Sequence, residues 1–229
     1  MGRVAIVTGA ASGLGASVCQ ALHRDGWTIA GLDLRPSNTD LSLQVDVTDA
    51  VAVAAAVQRA TVHLGQINAL VTVAGIYEEL PVESITDEQW NRMLAVNIGG
   101  TVNACAAVVP LLLAQNAGTI VTISSDLGVG GSQGDAHYAA TKGAIVGFSR
   151  SLGVELMGSG VTVNTVAPGA ADTPMLAADS PWRAESFLGT LPVGRLVRPE
   201  EIAGAVLFLL EVGPALVGQI ISPNAGATI

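Results

Sequence analysis

The chain has 229 residues, of which 50% are hydrophobic and only 13% are charged. Ten basic and 19 acidic residues give a formal net charge of −9. This composition excludes a disordered chain, and the negative charge disfavours binding to nucleic acid or to an anionic lipid surface. The length predicts one domain covering residues 1–229. The longest apolar region, Ala203–Ile221, is interrupted by Glu211, Gly213 and Pro214, so we expect no membrane span.

Short apolar segments alternate with longer windows of helical periodicity along the chain. The predicted strands are Val4–Thr8, Thr28–Leu32, Leu43–Val47, Ile67–Val73, Thr119–Ile123, Val161–Val166 and Val217–Ser222. Their mostly continuous hydrophobicity is typical of strands that are covered on both faces. The predicted helices are Gly13–Arg24, Asp49–Leu64, Asp87–Ala114, Tyr138–Met157 and Pro199–Leu210.

This alternation of strands and helices indicates the fold class. It predicts right-handed βαβ units, and so a doubly wound α/β domain whose seven-stranded parallel sheet has helices on both faces. The segment Ala170–Arg198 has no clear period and contains three prolines. A segment of that length without periodicity is typical of a functional loop, and we expect it to close the substrate pocket.

The first strand is followed by a glycine-rich turn, Thr8–Gly15. Gly9 permits a sharp turn, Gly13 lets the backbone approach a pyrophosphate, and Gly15 lets the helix pack against the strand. The N-terminus of the following helix offers free N–H groups and a positive dipole to phosphates. The turn therefore favours dinucleotide binding, although a glycine cluster alone also fits an ordinary tight turn.

Asp33 ends the second strand, 20 residues after Gly13. A carboxylate at this place accepts hydrogen bonds from the adenosine ribose hydroxyls and repels a 2′-phosphate, which favours NAD over NADP. The alternatives are a solvated turn aspartate, or a 2′-phosphate site provided by the nearby Arg35.

A third group of residues has the chemistry for proton transfer. Tyr138 and Lys142 are four residues apart in a predicted helix and so share one face. An ammonium group next to a phenol favours the phenolate, so we expect Lys142 to lower the pKa of Tyr138. Ser125 follows the fifth strand at the carboxyl edge of the sheet, where open α/β folds bind ligands.

The remaining reactive side chains indicate no metal site. His23, His63 and His137 share no metal-ligand spacing with each other or with Cys19 and Cys105. We expect both cysteines to be buried and reduced. No secretory leader is visible, which predicts a cytoplasmic protein.

Along nearly its whole length the sequence resembles the classical short-chain dehydrogenase/reductase family. Besides the glycine turn, Asp33 and Asn97, the matching motifs are Asp46-Val47, Ala74-Gly75, Ile123-Ser124-Ser125, YAATK at Tyr138–Lys142, PGAADTPM at Pro168–Met175 and RPEEIA at Arg198–Ala203. One departure is Val73, where the family usually has an asparagine whose amide bridges two strands. This departure puts the local sheet geometry in doubt but no catalytic role.

The resemblance implies a Rossmann fold and a set of site residues. It makes Tyr138 the general acid/base and Lys142 the residue that lowers its pKa and holds the nicotinamide ribose. Ser125 would bind the substrate oxygen, and Asn97 would hold a water in a proton relay. The implied cofactor-binding residues are Gly9, Ser12, Gly13, Leu14, Asp33, Asp46, Val47, Ala74, Gly75, Tyr138, Lys142, Pro168, Gly169, Ala171 and Thr173.

The long loop also provides candidates for the lining of the substrate pocket. Apolar side chains of the long loop, among them Met175, Trp182 and Phe187, favour an apolar secondary alcohol or its ketone. Arg183 and Arg195 are candidates for binding an anionic group instead. Asp135 and His137 lie beside Tyr138 in sequence, and no role is assigned to them.

The leading hypothesis is an NAD(H)-dependent oxidoreductase acting on a secondary alcohol or ketone. The alternatives are an NADPH-dependent 3-oxoacyl (carrier-protein type) reductase, an epimerase or dehydratase that uses the cofactor transiently, and a dinucleotide sensor without turnover. Because the chain has few charges and small residues along the Tyr138 helix, and because the family commonly pairs that helix, we expect a homotetramer or a homodimer.

Overall fold

Seven parallel strands form the central sheet of the computed structural model, which describes residues 2–227. The strands are β1 Val4–Thr8, β2 Thr28–Asp33, β3 Leu41–Gln44, β4 Ala69–Thr72, β5 Gly118–Ile123, β6 Val161–Val166 and β7 Ile220–Ile221. Their order across the sheet is β3-β2-β1-β4-β5-β6-β7. Successive strands are added on one side of β1 up to β3 and on its other side from β4 onward, which is the arrangement of a doubly wound sheet and confirms the predicted fold.

The helices cover both faces of the sheet. They are α1 Gly13–Arg24, α2 Ala50–Leu64, α3 Asp87–Leu94, α4 Gly100–Gln115, α5 Leu127–Gly130, α6 Ala136–Glu155, α7 Glu185–Leu188 and α8 Pro199–Glu211. Buried residues of α1 and α8 form one apolar core with the sheet, and those of α2, α4 and α6 form the other. The predicted long loop Ala170–Arg198 contains α7 and a short 3-10 turn, Pro181–Arg183.

The caps of two helices follow directly from the sequence. The Asp49 carboxylate accepts hydrogen bonds from the N–H groups of Val51 and Ala52 at the start of α2. Thr86 and Gln89 form a reciprocal capping box at the start of α3. Such caps satisfy N–H groups that have no partner within the helix, so both helices begin where the polar residues stand.

Five predicted strands have different bounds in the structure, and the third and the last differ most. The third, predicted over Leu43–Val47, ends at Gln44, because the Asp46 carboxylate accepts hydrogen bonds from the N–H and hydroxyl of Thr48 and turns the chain. The last, predicted over Val217–Ser222, shortens to Ile220–Ile221. There the Asn164 side chain replaces part of the ladder, since its Oδ1 accepts from the Gln219 N–H.

The predicted helix over Asp87–Ala114 is continuous in direction but has a π-helical turn, Ala95–Gly99, between α3 and α4. Such turns are frequent at functional sites because the extra residue displaces a side chain from the regular helical spacing. The combined run Asp87–Gln115 is long and apolar enough to cross a membrane by length and composition alone. In this fold, however, α4 buries Ala104, Cys105 and Val108 in the core against the sheet.

Candidate active site

The glycine turn between β1 and α1 is built for close contact with the neighbouring strand. Gly9 has φ +70°, and a Cβ there would lie 2.8 Å from the Ala74 nitrogen. Gly13 also has a positive φ of 52°, and a Cβ on Gly15 would collide with the Gly9 carbonyl oxygen. These conformations and approaches exclude larger side chains, so the turn has the shape that the sequence predicts.

Asp33 ties the end of β2 to this turn. Its Oδ2 accepts a hydrogen bond from the Ala11 N–H at 3.0 Å, and its Oδ1 accepts one from the Arg35 N–H at 3.0 Å. The Arg35 guanidinium reaches back to donate to the Ser12 hydroxyl at 2.8 Å. A carboxylate and a guanidinium therefore both stand beside the glycine turn, and both bear on which dinucleotide is preferred.

The Thr8 side chain bridges the two strands where Val73 replaces the asparagine that is usual in the family. The Thr8 hydroxyl oxygen accepts hydrogen bonds from the Val73 N–H at 3.0 Å and from the Ala74 N–H at 3.1 Å. These bonds join the ends of β1 and β4, where the family usually uses an asparagine side chain. The sheet geometry that the sequence left in doubt is therefore supported from the neighbouring strand.

Asn97 lies on the π-helical turn and is completely buried. Its Oδ1 accepts from the Ile76 N–H at 2.8 Å, and its Nδ2 donates to the Ile76 carbonyl at 3.1 Å and to the Thr141 hydroxyl at 3.0 Å. The side chain thus joins the segment after β4 to helix α6. This contact fixes the distance between Gly75 and the face of α6 that carries Lys142.

Lys142 is buried on α6, and its Nζ donates to the Ile123 carbonyl at 3.1 Å. Burial lowers the pKa of Lys142 to about 8, because desolvation disfavours the ammonium form. A Cβ on Gly75 would lie 3.6 Å from Nζ and 3.1 Å from the Asn97 Oδ1. Gly75 therefore leaves room beside both polar groups.

Tyr138 and Ser125 complete the cluster. The Lys142 Nζ lies 5.6 Å from the centre of the Tyr138 ring, and a hydrogen bond with Ser125 favours the phenolate of Tyr138. The pKa of Tyr138 is nevertheless raised above its usual value, first by burial and then by the charges of Asp126 and Asp135. The expectation that Lys142 lowers the pKa of this phenol stays a prediction, since burial, Ser125 and the two aspartates are the influences on Tyr138 that this structure shows.

The remaining predicted cofactor residues lie along the same edge of the sheet. Thr173 lies against the glycine turn, since a Cβ on Gly13 would be 3.5 Å from the Thr173 Cβ. The Thr173 N–H donates to the Ala171 carbonyl at 2.8 Å. The Pro168 carbonyl accepts from the Asp126 N–H at 3.0 Å.

The other members of this set shape the backbone around the edge. Gly169 permits the C-terminal segment to approach, since a Cβ on it would lie 2.8 Å from the Asn224 Cα. Val47 is buried against Gly100, while Asp46 holds the turn after β3 and does not reach into the cluster. Leu14 packs on the core beneath the glycine turn.

Several side chains beside Tyr138 were given no role in the sequence analysis. Tyr77 packs edge-on against Tyr138 with ring centres 4.9 Å apart. Asp126 follows Ser125, whose hydroxyl donates to its Oδ1 at 3.2 Å. Asp135 and His137 are completely buried, and their side-chain polar atoms have no hydrogen-bond partner of standard geometry. The signal for Asp126 and Tyr77 in the sequence was their position, directly after Ser125 and two residues after Gly75.

The long loop covers this cluster through Trp182, whose Nε1 donates to the Tyr77 hydroxyl at 2.8 Å. Trp182 also packs edge-on against Phe187, with ring centres 4.7 Å apart. Arg183, considered for anion binding, pairs with Asp172 at 2.7 Å, and Arg195 pairs with Glu201 at 2.7 Å. Within residues 2–227, no group of three potential metal-ligating side chains is present.

The residues at this edge fit a dinucleotide. The glycine turn provides a cradle without side chains, and Ser12, the N-cap of α1, makes no side-chain cap bond that would occupy the helix N–H groups. Helix N-termini of this kind bind phosphate through free N–H groups and the helix dipole. Asp33, at the end of β2 and bonded to the Ala11 N–H of the turn, stands where folds of this class bind the adenosine ribose.

Comparison with known proteins supports the same assignment. The family model for short chain dehydrogenases matches residues 3–184. The chain is 32% identical to a 3-oxoacyl-(acyl-carrier-protein) reductase of Thermotoga maritima over 242 residues, covering 100% of this chain and 98% of the relative. It is 34% identical to the cis-4-hydroxycyclohexanecarboxylate dehydrogenase of Sinomonas cyclohexanicum, covering 99% and 96%.

A solved structure gives the same fold. The 3-ketoacyl-(acyl-carrier-protein) reductase of Brucella melitensis, complexed with NADH, superposes with a TM-score of 0.92 over 100% of this chain and 99% of its own, at 24% identity. The family match, the two relatives above 30% identity and the shared fold agree with one another. This chain therefore belongs to the short-chain dehydrogenase/reductase family and is an oxidoreductase of the kind that binds a nicotinamide dinucleotide.

Proposed function

We propose that this protein transfers hydride between NAD(H) and the carbinol carbon of a secondary alcohol or its ketone. The observation that carries the proposal is the meeting of Ser125, Tyr138 and Lys142 at the carboxyl edge of the sheet, beside the glycine turn. A proton donor next to a dinucleotide site is what carbonyl reduction requires, because the oxygen must gain a proton as the carbon gains hydride.

Each residue of the cluster has a distinct task in this proposal. The bound nicotinamide supplies or accepts the hydride. The Ser125 hydroxyl holds the substrate oxygen, and the Tyr138 hydroxyl donates a proton to that oxygen in reduction and accepts one in oxidation. Lys142 adds positive potential at the phenol, while Asn97 positions α6 through its bond to Thr141. Trp182 and Tyr77 keep water from the reacting atoms.

The preference for NAD rests on Asp33. Its carboxylate is held beside the glycine turn by the Ala11 and Arg35 N–H groups. A fixed negative charge there repels a 2′-phosphate and accepts hydrogen bonds from ribose hydroxyls. Arg35 opposes this preference, because its guanidinium stays charged while it donates to the Ser12 hydroxyl, and its Nε lies 4.0 Å from the Asp33 Oδ1.

A 3-oxoacyl reductase is the second candidate. The comparisons support this alternative better than the first candidate, since the relatives from Thermotoga maritima and Escherichia coli, both at 32% identity, are 3-oxoacyl-(acyl-carrier-protein) reductases. The Sinomonas cyclohexanicum relative, a dehydrogenase of a hydroxylated ring, supports the first candidate. The net charge of −9 does not suit docking of an acidic carrier protein, which favours a free small molecule.

We also propose that the chain is cytoplasmic and assembles as a homotetramer, or as a homodimer. Both cysteines are free and buried, as in proteins kept in a reducing compartment. Large apolar side chains such as Val154, Met157 and Phe208 are exposed on the single chain. Sedimentation should therefore find an oligomer, and a monomer at micromolar concentration would contradict the assembly.

The proposed function is tested by binding and turnover together. Fluorescence titration should give tighter binding of NADH than of NADPH. The change in NADH absorbance should show oxidation of a secondary alcohol or reduction of its ketone. Acetoacetyl-coenzyme A with NADPH tests the second candidate in the same assay. Tighter NADPH binding would favour that candidate and would mean that Arg35 outweighs Asp33.

A further inference from the structure

Two carboxylates flank Tyr138, and the proposed proton transfer uses neither. Asp126 follows Ser125, and Asp135 precedes Tyr138 by three residues. Asp126 is 6% exposed and Asp135 is completely buried. The negative charges of both act on the Tyr138 phenol and raise its pKa. Both groups are therefore neighbours of the reacting oxygen.

Asp135 occupies a helix N-cap but does not act as a cap. It precedes the first residue of α6, yet its side chain makes no cap hydrogen bond. Asp49 stands at the same place before α2 and accepts two hydrogen bonds there. Capping thus explains Asp49 but leaves the Asp135 carboxylate without a structural task.

The burial of this carboxylate is costly for the fold. Neither Asp135 oxygen has a hydrogen-bond partner of standard geometry, and its polar neighbours are the hydroxyls of Tyr77 and Ser132 and the His137 ring. No salt bridge to Asp126 or Asp135 is found among residues 2–227. Groups that cost stability and serve no structural contact are typical of sites that complete their hydrogen bonds with a ligand.

The walls around these carboxylates limit what the ligand can be. Tyr77 and Tyr138 stack edge-on, and Trp182 closes over Tyr77, so the ligand meets aromatic surfaces. Burial raises the pKa of Asp126 to about 6, so both forms of this carboxyl are populated near neutral pH. A hydroxyl suits both forms, because it donates to a carboxylate and accepts from a carboxylic acid, whereas an ammonium only donates. An anionic ligand would be repelled.

We propose that Asp126 and Asp135 form the specificity site of this enzyme and accept hydrogen bonds from a hydroxyl group next to the reacting carbinol, so that the substrate is a small vicinal diol or polyol. The inference rests on the proposed hydride transfer and extends it to a substrate class. It replaces the apolar alcohol that the loop residues Met175 and Phe187 suggested in the sequence.

The test compares three alcohols that share one ring: cyclohexanol, cis-1,2-cyclohexanediol and 2-aminocyclohexanol, each with NAD⁺. We expect kcat/KM for the diol to exceed that for cyclohexanol at least about tenfold, which is the effect of one hydrogen bond to a charged group. Asp126→Asn and Asp135→Asn should each lower the ratio of kcat/KM for the diol to kcat/KM for cyclohexanol about tenfold. A change in the pKa of Tyr138 acts on both substrates and cancels in that ratio. Asp179→Asn, which changes an exposed carboxylate of the loop that covers the site, should leave the ratio unchanged.

Equilibrium binding provides a readout that does not depend on turnover. Calorimetric titration of the enzyme–NADH complex with the diol should show binding that weakens about tenfold in Asp135→Asn. An equal or better rate with cyclohexanol, a preference for the amino alcohol, or a preference for acetoacetyl-coenzyme A would overturn the diol proposal while leaving hydride transfer in place. NADH binding without turnover of any of these substrates would overturn both proposals.

Discussion

The glycine-turn region and the Tyr138 region lie on the same edge of the sheet but differ in how their polar side chains are hydrogen-bonded. Thr8 and Asp33 each accept two backbone N–H groups, and these bonds hold the turn in place. Around Tyr138, Asp135 and His137 are buried without such partners. The first region is therefore shaped by its own chain, whereas we propose that the second completes its hydrogen bonds with a ligand.

Among variants that compare the two regions, replacement of the Tyr138 phenol should have the largest effect on activity. Tyr138→Phe removes the proton donor, so we expect kcat to fall by about a thousandfold or more, because general acid–base catalysis contributes on that order. NADH binding should change by less than about threefold. Steady-state rates and fluorescence titration measure the two effects.

Tyr77→Phe is the matched control, because it removes a hydroxyl whose ring lies 4.9 Å from Tyr138. We expect a loss of less than about tenfold in kcat. Equal losses in the two variants would show that Tyr138 has no special role in proton transfer.

Substitution of Asp33 should have the second-largest effect, and this effect should be confined to the affinity for the cofactor. Asp33→Asn keeps one acceptor oxygen but removes the charge, so NADH should bind about tenfold more weakly. NADPH should bind equally well or better, since the repulsion of the 2′-phosphate is gone. Titration with both nucleotides measures the change, and an unaltered NADH/NADPH ratio would refute the role of Asp33.

The contact that closes the loop should have a smaller effect. Trp182→Phe removes the 2.8 Å bond to the Tyr77 hydroxyl, so we expect KM to rise about three- to tenfold with little change in kcat. Tyr77→Phe removes the other partner of the same bond. The double variant should lose no more than the larger single loss, and fully additive losses would mean that the two side chains act separately.

The smallest effect should be a gain in stability. Burial raises the pKa of Asp126 to about 6, so the folded protein binds this proton more tightly than the unfolded chain does. The stability of the wild type therefore falls as the pH rises from about 4 through 6. Asp126→Asn should be more stable than the wild type at pH 8, by up to about 3 kcal/mol, and equally stable at pH 4.

Thermal unfolding at the two pH values measures this difference, with Asp179→Asn as the exposed control. A wild type that is more stable than Asp126→Asn at pH 8 would show that the carboxylate supports the fold. In that case its burial would need no ligand to explain it.

The sequence predicted the fold well because its signals are local. Helix α1 begins and ends at the predicted residues, and the Asp49 and Thr86 caps are read directly from polar residues before apolar windows. The bounds of β3 and β7 were missed because side chains of Asp46 and Asn164 take over backbone hydrogen bonds there. Periodicity carries no information on such bonds.

The candidate site was predicted only in part, because contacts between residues far apart in sequence leave no local signal. Tyr138 and Lys142 are four residues apart, so their convergence follows from helix geometry. Tyr77 and Trp182 are far apart in sequence and meet only in the fold, so their contact was not predicted. The raised pKa of Tyr138 depends on burial, which spacing alone does not give.

The central claim is hydride transfer to a carbinol carbon, and an isotope experiment tests it most directly. NADH carrying deuterium at the transferred position is mixed with enzyme and 2-hydroxycyclohexanone, and the product is examined by mass spectrometry and NMR. We predict one deuterium on the new carbinol carbon for each NADH oxidised, and no transfer with Tyr138→Phe on the same timescale. Binding of NADH without oxidation, or isomerisation without net consumption of NADH, would contradict the account.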